Sequence, residues 1–298
     1  MELRGGANRE QAFAVASSGA ACAADAAEDL VACGGAARSA EEVLALRLCA
    51  LTGEFYRANA ESFSQTRQSP WQGWVRLLEV VGLAAKQKPL CVLDLACGNL
   101  RFERYLADAL PGGMLSGWAV DNCDPLVEAG ERNESDALSR MSFQNLDAIE
   151  RLSAGCLREA LEAPDASCDL AVSFGFMHHV PLERWRVELL RALIAKVRPG
   201  GFVAVSFWRF LNSDKLARKA KETTIRARAE LGIPELPPND YLLGWQDTQG
   251  LYRYCHHFDE PEIERLLAMV ADSADLVSRF EADGKTGNLN EYVVLRVK

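Results

Sequence analysis

The chain predicts a doubly wound α/β fold, a largely parallel sheet covered by helices on both faces. Three observations carry that expectation. From Pro89 onward, short apolar runs alternate with amphipathic helical segments. The apolar runs are near-continuous, the pattern of strands buried on both faces. At the end of the chain two strand patterns follow one another with no helix between them, so that pair lies antiparallel.

Strands are predicted at 90–95, 115–120, 141–146, 168–174 and 202–207, and helices at 101–110, 125–136, 148–161 and 182–197. Right-handed crossovers make the arrangement doubly wound. The run Arg198-Pro-Gly-Gly201 stops the fourth of these helices and turns the chain into the fifth strand. A helix at 260–270 then leads to strands at 275–281 and 292–297 around an Asp283-Gly284 turn, completing seven strands with an antiparallel final one. Ahead of the core, Ser39-Ala-Glu-Glu42 reads as a capping box. Ser69-Pro70-Trp71-Gln72 reads as a second helix start, with proline at the first helical position. Residues 209–258 form a long insertion with a basic helix and a turn at Pro234, Pro237 and Pro238; at the carboxyl edge of a sheet this is where a substrate lid sits. The expected organisation is an Ala-rich tail over 1–38, a helical cap over 39–88 and the α/β domain over 89–298.

Composition narrows the setting. A chain of 298 residues buries about 75% of its surface on folding and needs no covalent or metal staple. Nine cysteines are scattered without a C-x-x-C pair or zinc spacing, and Cys91, Cys97 and Cys168 fall in or beside apolar runs as small core residues. A reducing cytoplasm is the expected location. The Ala-rich stretch 11–37 is interrupted by Asp25, Glu28 and Asp29, too polar for a membrane span and unlike a secretory signal. A net charge of −9 argues against non-specific nucleic-acid binding as the main activity. It leaves room for a local basic face built from Arg209, Lys215, Arg218, Lys219, Lys221, Arg226 and Arg228, which reads equally as a solvated helix surface.

The most informative stretch is 90–102, LCVLDLACGNLRF. A strand ends near Asp94 and delivers a turn of small residues (Ala96, Cys97, Gly98, Asn99) into a helix, a geometry that turns backbone N–H groups towards a ligand. The spacing is not that of a dinucleotide-binding GxGxxG, and no Gly-Lys-Ser/Thr follows. It resembles motif I of the class I S-adenosylmethionine (SAM)-dependent methyltransferases, D/E-x-G-x-G-x-G, with Ala96 in place of the first glycine and Leu100 in place of the third. That resemblance implies a Rossmann-like methyltransferase sheet and SAM as cofactor. Asp94 then lies near the cofactor's ammonium, Asp121 near its ribose hydroxyls and Asp147 near its adenine. Ala96, Gly98, Asn99, Asn122, Ala148 and Ser173 complete the cofactor-facing set. Each aspartate also reads as a plain helix N-cap. After strand four, His178 and His179 shape the acceptor pocket or sit structurally at a helix start. Adjacent residues point apart, so no metal site is expected.

Residues 55–71, FYRANAESFSQTRQSPW, resemble the segment before motif I in the tRNA wobble-uridine carboxyl methyltransferases, Y-D/E-x-I-A-x-x-F-x-x-T-R…W-P. Cys97-Gly98-Asn99, His178-His179 and Arg253-Tyr254-Cys-His256-His-Phe258 agree as well. Arg57, Gln72 and Leu100 depart from the pattern. The resemblance implies methyl transfer from SAM to a carboxylate on a modified uridine of tRNA, with Tyr56 and Arg67 closing over the cofactor and Arg67 pairing with its carboxylate. Eukaryotic members also use a small zinc-binding activator protein. An anionic acceptor needs no general base, so the remaining task is to hold it, and Arg253, Tyr254 and His256 are the candidates. A small-molecule methyltransferase and a non-catalytic SAM-binding protein are the alternative readings.

Overall fold

The computed structural model describes residues 38–82, 89–110, 115–131, 138, 140–245 and 250–298. The chain divides into two units, 1–39 and 40–298, and every element below belongs to the second. The tail expected over 1–38 lies outside the described residues apart from Arg38, as does the end of the helix expected over 125–136.

Two helices come first, α1 (Ala40–Gln65) and α2 (Gln72–Val81). On α1 the buried positions Ala45, Leu48, Thr52, Phe55 and Asn59 recur at three- and four-residue intervals, one stripe of a 3.6-residue helix. The sheet elements follow as β1 (Leu90–Leu95), α3 (Arg101–Ala109), β2 (Leu115–Asp121), α4 (Asp124–Glu131), β3 (Met141–Asn145), α5 (Ala148–Ser153), α6 (Leu157–Ala160), β4 (Cys168–Ser173), α7 (Glu183–Lys196) and β5 (Val197–Trp208). The insertion contains α8 (Asp214–Leu231), β6 (Asp240–Leu243) and β7 (Arg253–His256); the chain closes with α9 (Glu260–Ala268), β8 (Ala274–Ala282) and β9 (Asn290–Val297). The main sheet has the order β3-β2-β1-β4-β5-β9-β8. Strands β1 to β5 are parallel, and β9 enters antiparallel between β5 and β8. The predicted doubly wound sheet with its antiparallel final strand is therefore the observed one. No helix among the described residues is long and apolar enough to cross a membrane.

Three local expectations are corrected. Helix α2 begins at Gln72 rather than at Pro70, with Trp71 extended at the N-cap and no side-chain cap of its own. The cap comes from far along the chain: Gly73 N–H donates to Asp283 Oδ1 at 3.1 Å, across the turn between β8 and β9. Gly73 is obligatory there, because a Cβ would lie 2.1 Å from the Tyr292 ring. The helix expected over 148–161 is two, α5 and α6, since Gly155 adopts φ +66° and breaks the ladder. The insertion holds more than a basic helix and a turn: β6 and β7 pair as a separate antiparallel two-stranded sheet, Asp240 opposite His256.

The turn after β1 sets the site. Ala96, Gly98 and Leu100 have φ of +69°, +57° and +56°. The backbone thus keeps a glycine-like left-handed path at all three motif positions although only one carries glycine. A left-handed non-glycine residue costs roughly 1–2 kcal/mol. Leu100 offsets this by burial beside Cys97, Ala119 and Val127; Ala96 has no side chain large enough to do so. Ala96→Gly is expected to stabilise the fold by about 0.5–1 kcal/mol after the added chain entropy. Leu100→Gly is expected to destabilise it, because losing a buried leucine costs about 2–5 kcal/mol. Denaturant unfolding of the two variants checks the opposite signs.

Candidate active site

The carboxyl ends of β1, β2 and β4 bring the first set of side chains together. Ala96 and Cys97 N–H both donate to the Val120 carbonyl, at 2.8 and 3.1 Å, fixing the turn to β2. Asp121, the last residue of β2, accepts from Gly98 N–H (2.9 Å) through one oxygen and from Cys123 N–H (2.9 Å) through the other. Asp121 thus holds the glycine turn and caps the chain before α4, and its oxygens keep lone pairs for further donors. Asn99 is buried and its amide donates to Ser64 Oγ (3.1 Å) and to the Arg67 carbonyl (3.2 Å). This ties the end of α1 and its following segment to the turn.

Below the turn, Asp94 and Glu103 are both buried and hydrogen-bond each other through a shared proton, and no N–H or hydroxyl among the described residues reaches Asp94 Oδ1 or either Glu103 oxygen. Burial is the main cause that raises both carboxyls, Glu103 to about 7; for Asp94 the Glu103 charge adds to it. Ser173 Oγ, at the end of β4, is fully buried with no hydrogen-bond partner among the described residues. Unsatisfied buried acceptors and donors at the mouth of a glycine turn are what an ammonium- and hydroxyl-bearing ligand would complete.

A second set forms around the short 3-10 turn Met177–His179 that follows β4. Arg253 Nη1 donates to Tyr56 Oη at 3.4 Å, Tyr56 Oη lies 2.9 Å from His179 Nε2, and His179 Nδ1 lies 2.6 Å from the Tyr254 carbonyl. A carbonyl only accepts, so His179 carries its proton on Nδ1, and Tyr56 then donates to Nε2. The chain of donors runs unbroken from Arg253 to a backbone oxygen. Burial and the neighbouring Arg253 charge lower His179 to about 3, so it is neutral. His178 is buried, its Nδ1 without a partner among the described residues and its ring 4.0 Å from that of His179, and burial lowers it too.

Arg253 is 6% exposed. Its guanidinium carbon lies 4.9–5.9 Å from the rings of Phe55, Tyr56, Phe63, Trp208 and Trp245. Arg67 stacks at 3.4 Å on Phe63 and at 5.0 Å on Trp245, and burial followed by the other arginines lowers it to about 10. Among the described residues neither guanidinium has a carboxylate partner, and Arg253 Nε has no partner at all. Aromatic faces offset part of the cost of burying a cation, and an anion would offset the rest.

Strand alternation separates residues that the sequence grouped. On β7, Arg253 and Cys255 face the histidines, Cys255 Sγ lying 3.9 Å from His179 Nδ1. Tyr254 and His256 face the other way, which corrects the expectation that all three hold one acceptor. His256 bridges Asp240 (2.5 Å) and Glu262 (2.7 Å), Tyr254 donates to Asp240 (2.6 Å), and Arg186 pairs with Glu262. That buried network fastens the two-stranded sheet to α7 and α9. Asp147 caps α5 by accepting from Glu150 N–H at 3.0 Å, with Ala148 buried behind it; Asn122 is half-buried after Asp121. His178, His179 and Cys255 place their ligand atoms within 4.8 Å of one another. Both His179 nitrogens are already hydrogen-bonded and the Arg253 charge adjoins them, a donor set ill suited to a cation.

Glu103 was not singled out from the sequence, although a carboxylate at a three- and four-residue spacing from Leu106 and Ala107 on an apolar helix face signals it. Below pH about 4.5 Glu103 is protonated in both folded and unfolded chains. Between pH about 4.5 and about 7 the folded state retains a proton that the unfolded chain has released, so stability falls across that window and levels off above it. Glu103→Gln is therefore expected to raise the melting temperature at pH 8, with the gain shrinking towards pH 5. Thermal melts across that range check the sign, and a pH-independent difference would contradict it.

Comparisons with known proteins agree with this geometry. A family model described as a methyltransferase domain matches residues 65–269. Mouse (Mus musculus) tRNA (carboxymethyluridine(34)-5-O)-methyltransferase ALKBH8 is 29% identical over 157 residues, 52% of this chain and 19% of that protein. The Saccharomyces cerevisiae tRNA (carboxymethyluridine(34)-5-O)-methyltransferase is 23% identical over 224 residues, 65% of this chain and 71% of that one. The chain thus spans about a fifth of the mouse relative and most of the yeast one. Among solved structures, the 1,6-didemethyltoxoflavin-N1-methyltransferase of Burkholderia thailandensis, with bound S-adenosylhomocysteine, superposes with a TM-score of 0.55 at 17% identity, covering 89% of this chain and 93% of that one. With a seven-stranded sheet, a left-handed motif turn and a family match over more than half its length, the chain belongs to the methyltransferase domain family and is a SAM-dependent methyltransferase.

Proposed function

We propose that this enzyme methylates the carboxylate of a modified wobble uridine in tRNA, in the cytoplasm. The observation that carries the reading is Arg253, a buried guanidinium beside the β4 edge with no carboxylate partner among the described residues. The names of the mouse and yeast relatives support the same acceptor.

Two guanidiniums and two anions divide naturally. Arg67 is tied through Asn99 to the glycine turn and would take the cofactor's carboxylate. Arg253 adjoins His178 and His179 and would take the acceptor's. Asp94, Ala96, Gly98, Asn99 and Asp121 would hold the cofactor's amino-acid end and ribose, Ser173 would close over it from β4, and Asn122, Asp147 and Ala148 would line its base. SAM supplies an already activated methyl group, and its transfer forms one C–O bond as the C–S bond breaks. The protein's part is to orient the acceptor in line, an effect worth roughly 7–11 kcal/mol in well-positioned systems. The relay through Tyr56 and His179 fixes the guanidinium, the neutral histidines leave its charge for the acceptor, and the surrounding rings exclude water.

The tRNA is the expected partner of α8. Ala220, Thr223 and Ala227 are buried, while Lys215, Arg218, Lys219, Lys221 and Arg226 are exposed. Such a face would contact phosphates while the buried cage selects one base.

Arg253→Met should raise the melting temperature, since an apolar side chain of similar shape replaces a buried charge with no carboxylate partner among the described residues. It should also weaken acceptor use by about 2–5 kcal/mol, roughly 30-fold or more in kcat/KM, with SAM affinity kept. Melts and steady-state kinetics on one preparation check both halves. Replacing Arg218, Lys219 and Lys221 together by alanine should weaken tRNA binding and flatten its salt dependence without changing SAM affinity. Methyl transfer insensitive to these changes and to salt would favour a small-molecule carboxylate instead.

A further inference from the structure

A cleft of about 280 Å³ opens beside the Arg253 cage, between the start of α2, the end of β5 and the turn joining β8 to β9. Its walls include two indoles, Trp71 and Trp208, together with Asp283, Leu289 and Asn290. Both indoles are held in place by their surroundings. Trp71 packs 5.3 Å from Trp74 under the Arg101 guanidinium, and a side chain at Gly175 would come within 3.2 Å of its ring. Gly175, at φ +70°, thus lets Trp71 stand directly over the turn that follows β4. Trp208 lies 4.9 Å from His178 and 5.8 Å from the Arg253 guanidinium, so it is a wall of both the cleft and the cage.

The polar floor is also fixed. Asp283 accepts from Gly73 N–H, Asn290 Nδ2 (2.8 Å) and Tyr292 Oη (2.7 Å), leaving its carboxylate no freedom to turn. The volume falls just under the range of about 300–1,000 Å³ typical for whole drug-sized ligands. It suits a single flat ring.

Resting on the acceptor reading above, we infer that the cleft is a stacking slot for the acceptor's own ring: Trp71 and Trp208 take the uracil faces while its carboxylate reaches Arg253. The slot makes the enzyme selective for a carboxylate carried on a planar ring over the same carboxylate on an open chain. Trp71 and Trp208 are then specificity-determining residues.

The test uses the full chain saturated with S-adenosylhomocysteine and the nucleoside 5-carboxymethyluridine as probe, followed by calorimetry and by indole fluorescence. Stacking on an aromatic side chain supports base binding by a factor of about 5 to 150. Trp71→Leu and Trp208→Leu should each lose affinity in that range, Trp71→Phe and Trp208→Phe should recover most of it, and S-adenosylhomocysteine binding should be unchanged throughout. In the unsubstituted protein the nucleoside should quench indole emission and acetate should not. Equal nucleoside binding by all four variants, or quenching by acetate alone, would overturn the slot. If the unsubstituted protein ignores 5-carboxymethyluridine but binds indole-3-acetate in the same Trp-dependent way, the slot stands and the uridine reading falls. If neither ring compound binds, both fall.

Discussion

A buried positive charge, placed where apolar rings close around it, is the constraint on which the site depends. Arg253 leaves water without gaining a carboxylate among the described residues, an arrangement that costs stability. What holds it there is a one-way chain of hydrogen bonds through Tyr56 and His179 to the Tyr254 carbonyl. Each link draws on a different part of the molecule: α1, the turn after β4, and the two-stranded sheet of the insertion. The cage therefore assembles only when those three parts are docked. Its unfavourable electrostatics are a local strain of the kind functional sites carry.

The insertion solves this docking with strand alternation. One face of β7 supplies Arg253 and Cys255 to the cage; the other sends Tyr254 and His256 into a buried acidic network with Asp240 and Glu262, anchored by Arg186. Thr52 on α1 accepts from the Tyr254 backbone N–H at 3.0 Å, locking the same strand from a third side. A two-residue period thus lets four consecutive positions serve two ends, chemistry on one face and fastening on the other.

Much of this was legible in the sequence because it is written in local patterns. Strand-helix alternation gave the sheet, and the closing pair of strands without a helix gave its antiparallel member. The spacing of Asp94, Gly98 and Asp121 located the turn, and the histidine pair located the edge. What escaped depends on distant partners. Asp283 caps a helix 210 residues earlier, and β6 and β7 are too short to show a period before their pairing is known. The left-handed path of Ala96 and Leu100 runs against residue type and is imposed by the Val120 carbonyl and the Asp121 carboxylate. Spacing places Glu103 on the apolar face of its helix, but its pairing with Asp94 depends on how that helix packs against β1.

The chemical nature of the acceptor decides the matter most directly. A methyl group placed on a carboxylate is an ester, which mild base cleaves to methanol, whereas methyl groups on ring nitrogen or carbon survive. The measurement is the fate of labelled methyl after incubation of the enzyme with methyl-labelled SAM and tRNA carrying carboxymethyluridine at the wobble position. Release of the label as methanol in mild alkali is the predicted result. Label that enters the RNA and stays there through the same treatment would contradict an acceptor held by Arg253 through its carboxylate.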